Sequence, residues 1–431
     1  MARYSPRAQF SWCLYDWANS AFATVILAAV LPVYFVSLVP KTGAVLPFLP
    51  QHTLSAASLW GYSVSLSMLG LAIAAPALGA LADRRAWHKQ LLTLFWLGGC
   101  LATAELGFSE GQSYLLVALL FIAANFCFAG ANIFYNAYLP LIAPAAQSDR
   151  LSARGFAFGY VGGGLLLALV FLLIIRYDSF GFADRGAATR CGFLITAGWW
   201  FCFTLPTLIY LPRTTAAVAT PGYRFSLGNY LKQFRQLRHY PDLTLFLFAF
   251  LCYNDGIQTI ISVSAVYARG ELGLSQGTII GCFLMIQFLA MPGALLFARL
   301  SDKLGTARAI LLSLGTFLAV CLYAYRLESA LEFWLLGAVI ALILGGSQAL
   351  SRSLYASLVP PAKSAEFFGF YTISSRFATI FGPLLFALVT DLSGSSRNAI
   401  LSLGVFFIVG AGLLSRVQVE RGRALAARHQ D

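Results

Sequence analysis

Carboxylates, amides and guanidinium groups lie inside stretches of this chain that are otherwise apolar. Asp16 and Asn19 fall in Trp12-Cys13-Leu14-Tyr15-Asp16-Trp17-Ala18-Asn19-Ser20-Ala21-Phe22-Ala23, and the chain then stays apolar to about Val39. Asn132, Tyr135 and Asn136 share a second such run, Asn254, Asp255 and Gln258 a third, Gln348, Ser351 and Arg352 a fourth, and Tyr371 and Arg376 a fifth. A charge at the centre of a membrane helix costs ~2.5–3.5 kcal/mol or more, so a chain that keeps such residues uses them. An arginine fork can hold a carboxylate or phosphate. A desolvated aspartate can bind an amino group or carry a proton. The same residues could equally pair with one another between helices, Asp16 with Arg352 and Asp255 with Arg376, and the sequence leaves both uses open.

The elements that must position these residues follow from the composition. Of 431 residues, 59% are hydrophobic and 11% charged, against about 25% charged in a soluble domain. Too few charges remain to cover a water-facing surface, so most of the chain faces lipid. Runs of roughly 17–25 apolar residues cross a bilayer as helices, and the runs predict twelve spans: 10–39, 55–82, 90–108, 113–142, 152–176, 191–211, 243–268, 275–300, 309–325, 331–359, 366–389 and 398–417. The fold class is an all-α integral membrane protein. A polar segment, 212–241, separates a six-helix bundle over 1–211 from a second over 242–431, and 227–240 could form an interfacial helix or a plain linker. The first run far exceeds the roughly 7–15 residues of a signal-peptide core, so it is expected to stay as a helix.

Lys and Arg number 29 and Asp and Glu 17, a net charge of +12. Most of the basic residues fall in alternate loops, on the side that also holds both termini. The positive-inside rule makes that side cytoplasmic. The same placement in short loops argues against nucleic acid as a partner. The eight cysteines lie in or at the edges of apolar runs and form no C-x-x-C pair, and the four histidines lie outside those runs. No metal site or cofactor is expected, and no motif for nucleophilic or ATP-driven chemistry occurs, so the chain does not read as an enzyme.

The two halves repeat. The loop Gly79-Ala80-Leu81-Ala82-Asp83-Arg84-Arg85-Ala86-Trp87-His88-Lys89 aligns at a constant offset with Ala298-Arg299-Leu300-Ser301-Asp302-Lys303-Leu304-Gly305-Thr306-Ala307-Arg308, matching Asp83 with Asp302, Arg84 with Lys303 and Lys89 with Arg308. Each copy falls between the second and third spans of its half, which favours duplication. Each Asp precedes a helix N-terminus, where negative charge is favoured, and the basic residues beside it are expected to pair across to a neighbouring helix as a gate. A second echo matches Asn132 with Gln348 and Asn136 with Arg352, each pair spaced i, i+4 on one helix face. Asn19 echoes Asn254 more weakly. Depth along the spans, at ~1.5 Å per residue, puts Asp255 and Arg376 near the midplane and Asp16, Asn136 and Arg352 in the cytoplasmic half. Gly162-Gly163-Gly164 favours close helix packing, and Pro32, Pro76, Pro292 and Pro383 are expected to kink their helices.

Twelve spans in two halves with Gly-x-Leu-x-Asp-Arg after the second span resemble the major facilitator superfamily. The chain departs slightly: Ala86 stands where the superfamily has glycine, whereas the second loop keeps Gly305. Three segments resemble more specifically the branch of the fungal autophagy-related vacuolar amino-acid effluxers and their bacterial relatives. They are Tyr15-Asp16-Trp17-Ala18-Asn19-Ser20-Ala21-Phe22-Ala23-Thr24, Tyr253-Asn254-Asp255-Gly256-Ile257-Gln258-Thr259 and Gly345-Gly346-Ser347-Gln348-Ala349-Leu350-Ser351-Arg352-Ser353. The resemblance implies a secondary transporter whose first, fourth, seventh and tenth spans line a central cavity. Those are the spans that carry the polar residues above, apart from Tyr371 and Arg376.

The expectation is therefore a carrier of a small zwitterionic or anionic metabolite, amino-acid-like, coupled to protons. It would sit in the lipid bilayer of a bacterial inner membrane and act as a monomer, since one chain supplies both halves. One competing reading is an exporter of drugs or larger amphipathic compounds. Another, of a different class, is a membrane sensor or lipid-handling protein that does not transport.

Overall fold

The computed structural model describes residues 5–40, 42–46, 49–54, 56–110, 114–214, 235–274, 276–377, 381–393 and 395–428. The first apolar run, expected as one helix, is broken into α1 (Pro6–Ala21), a π-helical stretch (Phe22–Ala29) and α2 (Leu31–Leu38). Pro32 accounts for the break: it has no N–H to donate, and its ring cannot sit on a regular α-helical turn. The widened stretch before it carries Val30 N–H to the carbonyl of Val25, five residues back, at 2.9 Å.

A small hairpin, β1 (Ala44–Leu46) with β2 (Leu49–Leu54), precedes the long helix α3 (Ala56–Arg85). Then come α4 (His88–Leu106), α5 (Tyr114–Ala137), a short α6 (Leu139–Ile142), α7 (Ala145–Ile175) and α8 (Arg185–Tyr210). Asp184 starts α8 by accepting the Ala187 N–H at 2.7 Å. Most of the expected interfacial helix at 227–240 lies outside the described residues, of which Leu237–His239 form one 3₁₀ turn.

The later helices are α9 (Pro241–Gly270), α10 (Gln276–Leu304), α11 (Thr306–Ala324), α12 (Ala330–Leu358), α13 (Ser364–Phe377), α14 (Phe381–Ser393), α15 (Ser396–Ser402), α16 (Gly404–Leu414) and an amphipathic α17 (Val419–Arg428). Ser329 and Glu332 form a reciprocal capping box at the start of α12. Pro76 and Pro292 lie inside α3 and α10, and Pro383 is the third described residue of α14.

Among the described residues, ten helices are long and apolar enough to cross a membrane. The expected span at 90–108 is not among the ten. It forms the 19-residue α4, which turns Leu94, Leu97 and Leu101 outward. The expected span at 366–389 runs through residues 378–380, which lie outside the described set.

Helix pairings recur along the chain. Within the first set α3 packs on α5, α4 on α5, α1 on α8, and α1 on α7. Their counterparts in the second set are α10 on α12, α11 on α12, α9 on α16, and α9 on α13. The two sets meet where α3 packs on α13 and α7 packs on α10 and α12. Glycines permit the closest of the contacts that position Asp16. A side chain at Gly155 would fall on the Asp16 carboxylate and within 2.8 Å of Arg352 Nη2, and one at Gly162 would strike the backbone and ring of Trp17. Gly155 and Gly162 are a helix repeat apart on α7 and lay that face directly on α1.

Candidate functional site

Arg352 of α12 is 3% exposed and crosses into the first set of helices. Its Nη1 donates to Asp16 Oδ2 at 2.9 Å and makes a long 3.5 Å contact with Asn136 Oδ1. Its Nε donates to Ser152 Oγ at 2.9 Å and its Nη2 to the Ser152 carbonyl at 2.8 Å. Phe156 and Trp12 lie against the guanidinium, with centroids 4.2 and 4.6 Å from Cζ. Trp12 is itself fixed, stacking on Tyr135 and donating Nε1–H to the Tyr135 carbonyl at 3.0 Å. Four of the five N–H donors of the fork are thus taken by α1, α5 or α7. A buried charge with this set of partners is stable only while the set is intact.

The Asp16–Arg352 pair closes one end of a cavity of about 1170 Å³ between the two helix sets. Asn19, Asn132, Asn136, Gln348 and Tyr371 also line that end. Asn19 Nδ2 donates to Asn132 Oδ1 at 2.8 Å, and Asn132 Nδ2 to the Phe128 carbonyl at 2.9 Å. The cavity wall beyond is largely apolar, with Ile260, Ile279, Phe283, Ile340 and Leu344 among its residues. It reaches Val33, Tyr267, Ala324 and Leu327 at the opposite helix ends. Among the described residues, Asp16 and Arg352 are the one acidic and the one basic side chain of the lining, and they pair with each other.

Two polar lining residues that the sequence reading does not single out stand on the seam between the helix sets. Tyr160 of α7 donates its hydroxyl to Gln348 Oε1 at 2.7 Å, a hydrogen bond from one helix set to the other, and Gln287 of α10 also borders the space. Tyr160 lies in an aromatic-rich run and looks like packing; Gln287 is a lone amide.

Several expected site residues lie elsewhere. Asp255 is buried outside the cavity lining, and its Oδ1 accepts the Gly382 N–H at 2.9 Å. That carboxylate is thus held by the backbone of α14. Asn254 Nδ2 reaches the Ser375 carbonyl at 3.4 Å. Ser351 Oγ bonds the Tyr253 hydroxyl and the Ser347 carbonyl, each at 2.6 Å. Tyr135 is spent in a stack between Trp12 and Tyr15, and Gln258 is half-buried off the cavity. The side chain of Arg376 lies outside the described residues.

Beyond the Asp16–Arg352 pair, the same end is bolted by the repeated loops. Asp83 accepts the N–H of Ala365 at 3.1 Å and of Glu366 at 2.9 Å, so it caps α13 across the interface and not its own α4. Gly79 allows this approach, since a side chain there would meet the Ala365 carbonyl at 2.5 Å. Asp302 accepts from Arg150 of α7 at 2.8 Å. Asp149 accepts from Thr306 Oγ1 at 2.6 Å and Ser353 Oγ at 2.5 Å. The acids of the repeat thus cross the interface, whereas the basic residues are the ones expected to do so. Lys89 donates to the Leu211 carbonyl at 3.3 Å within its own set, and burial together with Arg213 holds its ammonium below the usual lysine range. Arg84 is half-buried, and Lys303 and Arg308 are exposed.

Two helix sets enclosing a cavity closed at one end define a membrane carrier of the major facilitator type, and solved structures carry the same fold. The human organic anion transporter MFSD10 (TETRAN) superposes with a TM-score of 0.75 over 95% of this chain and 100% of that one at 15% identity. The proton:xylose symporter XylE gives 0.68 over 95% of each chain at 14% identity. Residues 5–427 match the family described as "Vacuole effluxer Atg22 like". A Bacillus subtilis (strain 168) protein named "Uncharacterized MFS-type transporter YxiO" is 32% identical over 100% of this chain and 99% of its own. "Autophagy-related protein 22" of Yarrowia lipolytica (strain CLIB 122 / E 150) is 26% identical over 84% of this chain and 76% of its own. The chain belongs to the Atg22-like family of MFS-type transporters.

Proposed function

We propose that this protein moves a small, charge-balanced, amino-acid-like metabolite by alternating access, with protons as the coupling ion. The observation that carries this reading is the cavity sealed at one end by Asp16 and Arg352. A seal built from both helix sets can release and re-form, which is what alternating access requires. Because four of the five N–H donors of Arg352 are already taken, the polar groups most open to a solute are neutral amides and hydroxyls: Asn19, Asn132, Gln348 and Tyr160. That favours a zwitterion over an anion.

In this reading twelve helices cross the membrane, with bundles over 1–211 and 242–431 joined by a linker at 212–241 and both termini in the cytoplasm. The bolted end is then cytoplasmic and the cavity faces outward. The protein works as a monomer in a bacterial inner membrane. A second reading, export of larger amphipathic compounds, is favoured by one observation: the cavity is far larger than an amino acid and mostly apolar.

The test is a thermal-shift screen of the purified protein with amino acids, short peptides, organic acids and amphipathic amines at two pH values. Gln348→Ala and Asn132→Ala are run beside the wild type. A zwitterion that stabilises the wild type and neither variant supports the proposal. Stabilisation of the wild type by amphipathic compounds alone supports the second reading. Ligands that stabilise the variants as well as the wild type would exclude the cavity as the site.

A further inference from the structure

The repeated loops are closed by different chemistry. In the later copy Asp302 faces Arg150, a guanidinium that stays charged throughout the physiological range. In the earlier copy the side chain facing Asp83 is His88, and the register of the repeat puts Ala307 at the matching position. His88 is 3% exposed, with Nε2 2.8 Å from Asp83 Oδ1 and Nδ1 3.1 Å from Thr214 Oγ1. The Tyr138 ring meets it edge-on at 6.0 Å.

We propose that the His88–Asp83 contact is a proton-binding site, separate from the central cavity, that sets the strength of the α3–α13 bolt. Nε2 is close to the carboxylate but off the line of a good hydrogen bond. The attraction is therefore between charges, and it is present in full only when the imidazole carries its proton. Imidazole is the side chain that ordinarily changes charge between about pH 5 and 8. The carboxylate it faces is the one that holds the amides of Ala365 and Glu366. A proton on His88 keeps that carboxylate charged and in place. Loss of the proton turns a ring-nitrogen lone pair or an ill-aimed N–H toward it.

The other groups around the contact are Arg84 on α3, Glu366 and Lys363 at the start of α13, and Tyr240 ahead of α9. Lys363 is engaged with Gln236 at 3.0 Å. Glu366 is buried, and its Oε1 has no hydrogen-bond partner among the described residues. Among the described residues it is the rival acid at this contact, and ionising it beside Asp83 would weaken the bolt in the same direction. Acid thus tightens this bolt and alkali loosens it, while the Arg150–Asp302 bolt does not respond.

The inference rests on reading the α3–α13 contact as a bolt that opens during transport. Hydrogen exchange on the full chain in lipid discs tests it, following the amides of Ala365 and Glu366 at pH 6 and pH 8, corrected for the intrinsic effect of pH on exchange. Wild-type protection is expected to fall roughly three- to tenfold as pH rises, the range of a lost charge–charge contact. His88→Lys should hold protection high at both values, His88→Gln should lower it at both, and Glu366→Gln should leave the pH response in place. Wild-type protection that ignores pH overturns the proposal, as does a response that survives His88→Gln or disappears in Glu366→Gln. Asp83→Asn separates the two levels of the argument: if it leaves protection unchanged, the bolt itself is misread, whatever His88 does.

Discussion

Asp16 and Arg352 stand 336 residues apart in sequence and 2.9 Å apart in the structure, and their contact is the point where the two helix sets share a buried charge. Among the described residues, the cavity lining holds no other acidic or basic side chain. Breaking one side of such a pair leaves the other charge without compensation, at a cost of about 3–5 kcal/mol. Arg352→Ala and Asp16→Ala are each expected to lower the melting temperature sharply. Asp16→Leu combined with Arg352→Met should recover much of the loss while abolishing transport. A double replacement no more stable than the single ones would show that the pair is not the unit.

The room for that pair depends on Gly155. Gly155→Ala puts a methyl group onto the carboxylate of Asp16 and beside Arg352 Nη2. The expected result is a loss of about 1–3 kcal/mol, the range of overpacking, with a shift toward the state open at the bolted end. Cysteine accessibility at that end measures the shift. An unchanged population would show that the pair tolerates displacement.

Ala86 occupies the left-handed region, with φ 56, where the superfamily's glycine is expected and where the second loop has Gly305 with φ 85. An L-residue there is strained by about 1–2 kcal/mol, part of which glycine returns as chain entropy. Ala86→Gly is expected to stabilise the protein by ~0.5–1 kcal/mol without altering ligand affinity. Thermal unfolding decides the sign.

Asp255 separates a backbone contact from a solute contact. If the bond to the Gly382 N–H is its whole role, replacement by alanine should cost ~1.5–3 kcal/mol and leave ligand affinity within twofold. A selective loss of affinity with stability preserved would return Asp255 to the solute pathway.

At the other end of the molecule, Glu271 accepts from Ser396 and from Arg397 at 3.3 Å. The Ser396 hydroxyl and then the Arg397 charge hold its carboxyl below the usual glutamate range. A depressed carboxyl contributes stability above the unfolded pKa, ordinarily about 4.3, and loses it as pH falls through the folded value. Between pH 7 and 5 the contribution should be constant. It should fade below about pH 4, by under ~1 kcal/mol because the group is partly solvated. Glu271→Gln should flatten that acid limb, which unfolding measured across pH checks.

The sequence made the membrane class and the duplicated loop legible because both are patterns of composition and spacing. It also marked Asp16, Asn19, Asn132, Asn136, Gln348, Arg352 and Tyr371, which the structure gathers at one end of the cavity. A polar group in an apolar run stands out, and i, i+3 or i, i+4 spacing assigns it a face. What the pattern lacks is the partner. Asp255 carries the same signal as Asp16, yet an amide of α14 uses it. Asp83 carries the same signal as Asp302, yet one meets backbone amides and the other a guanidinium. The π-helical stretch is hidden because hydropathy is the same whether the turn has four residues or five.

The neutrality of the Asp16–Arg352 pair bears on energy supply. A carrier whose mobile core holds one positive and one negative group moves no net charge when it returns empty, so the ~2.3 kcal/mol that 100 mV exerts on each unit charge has nothing to act upon in that half of the cycle. Membrane voltage then acts on what this protein carries and not on that pair. The current per turnover, read from vesicles clamped at different potentials, reports directly the summed charge of solute and coupling ion.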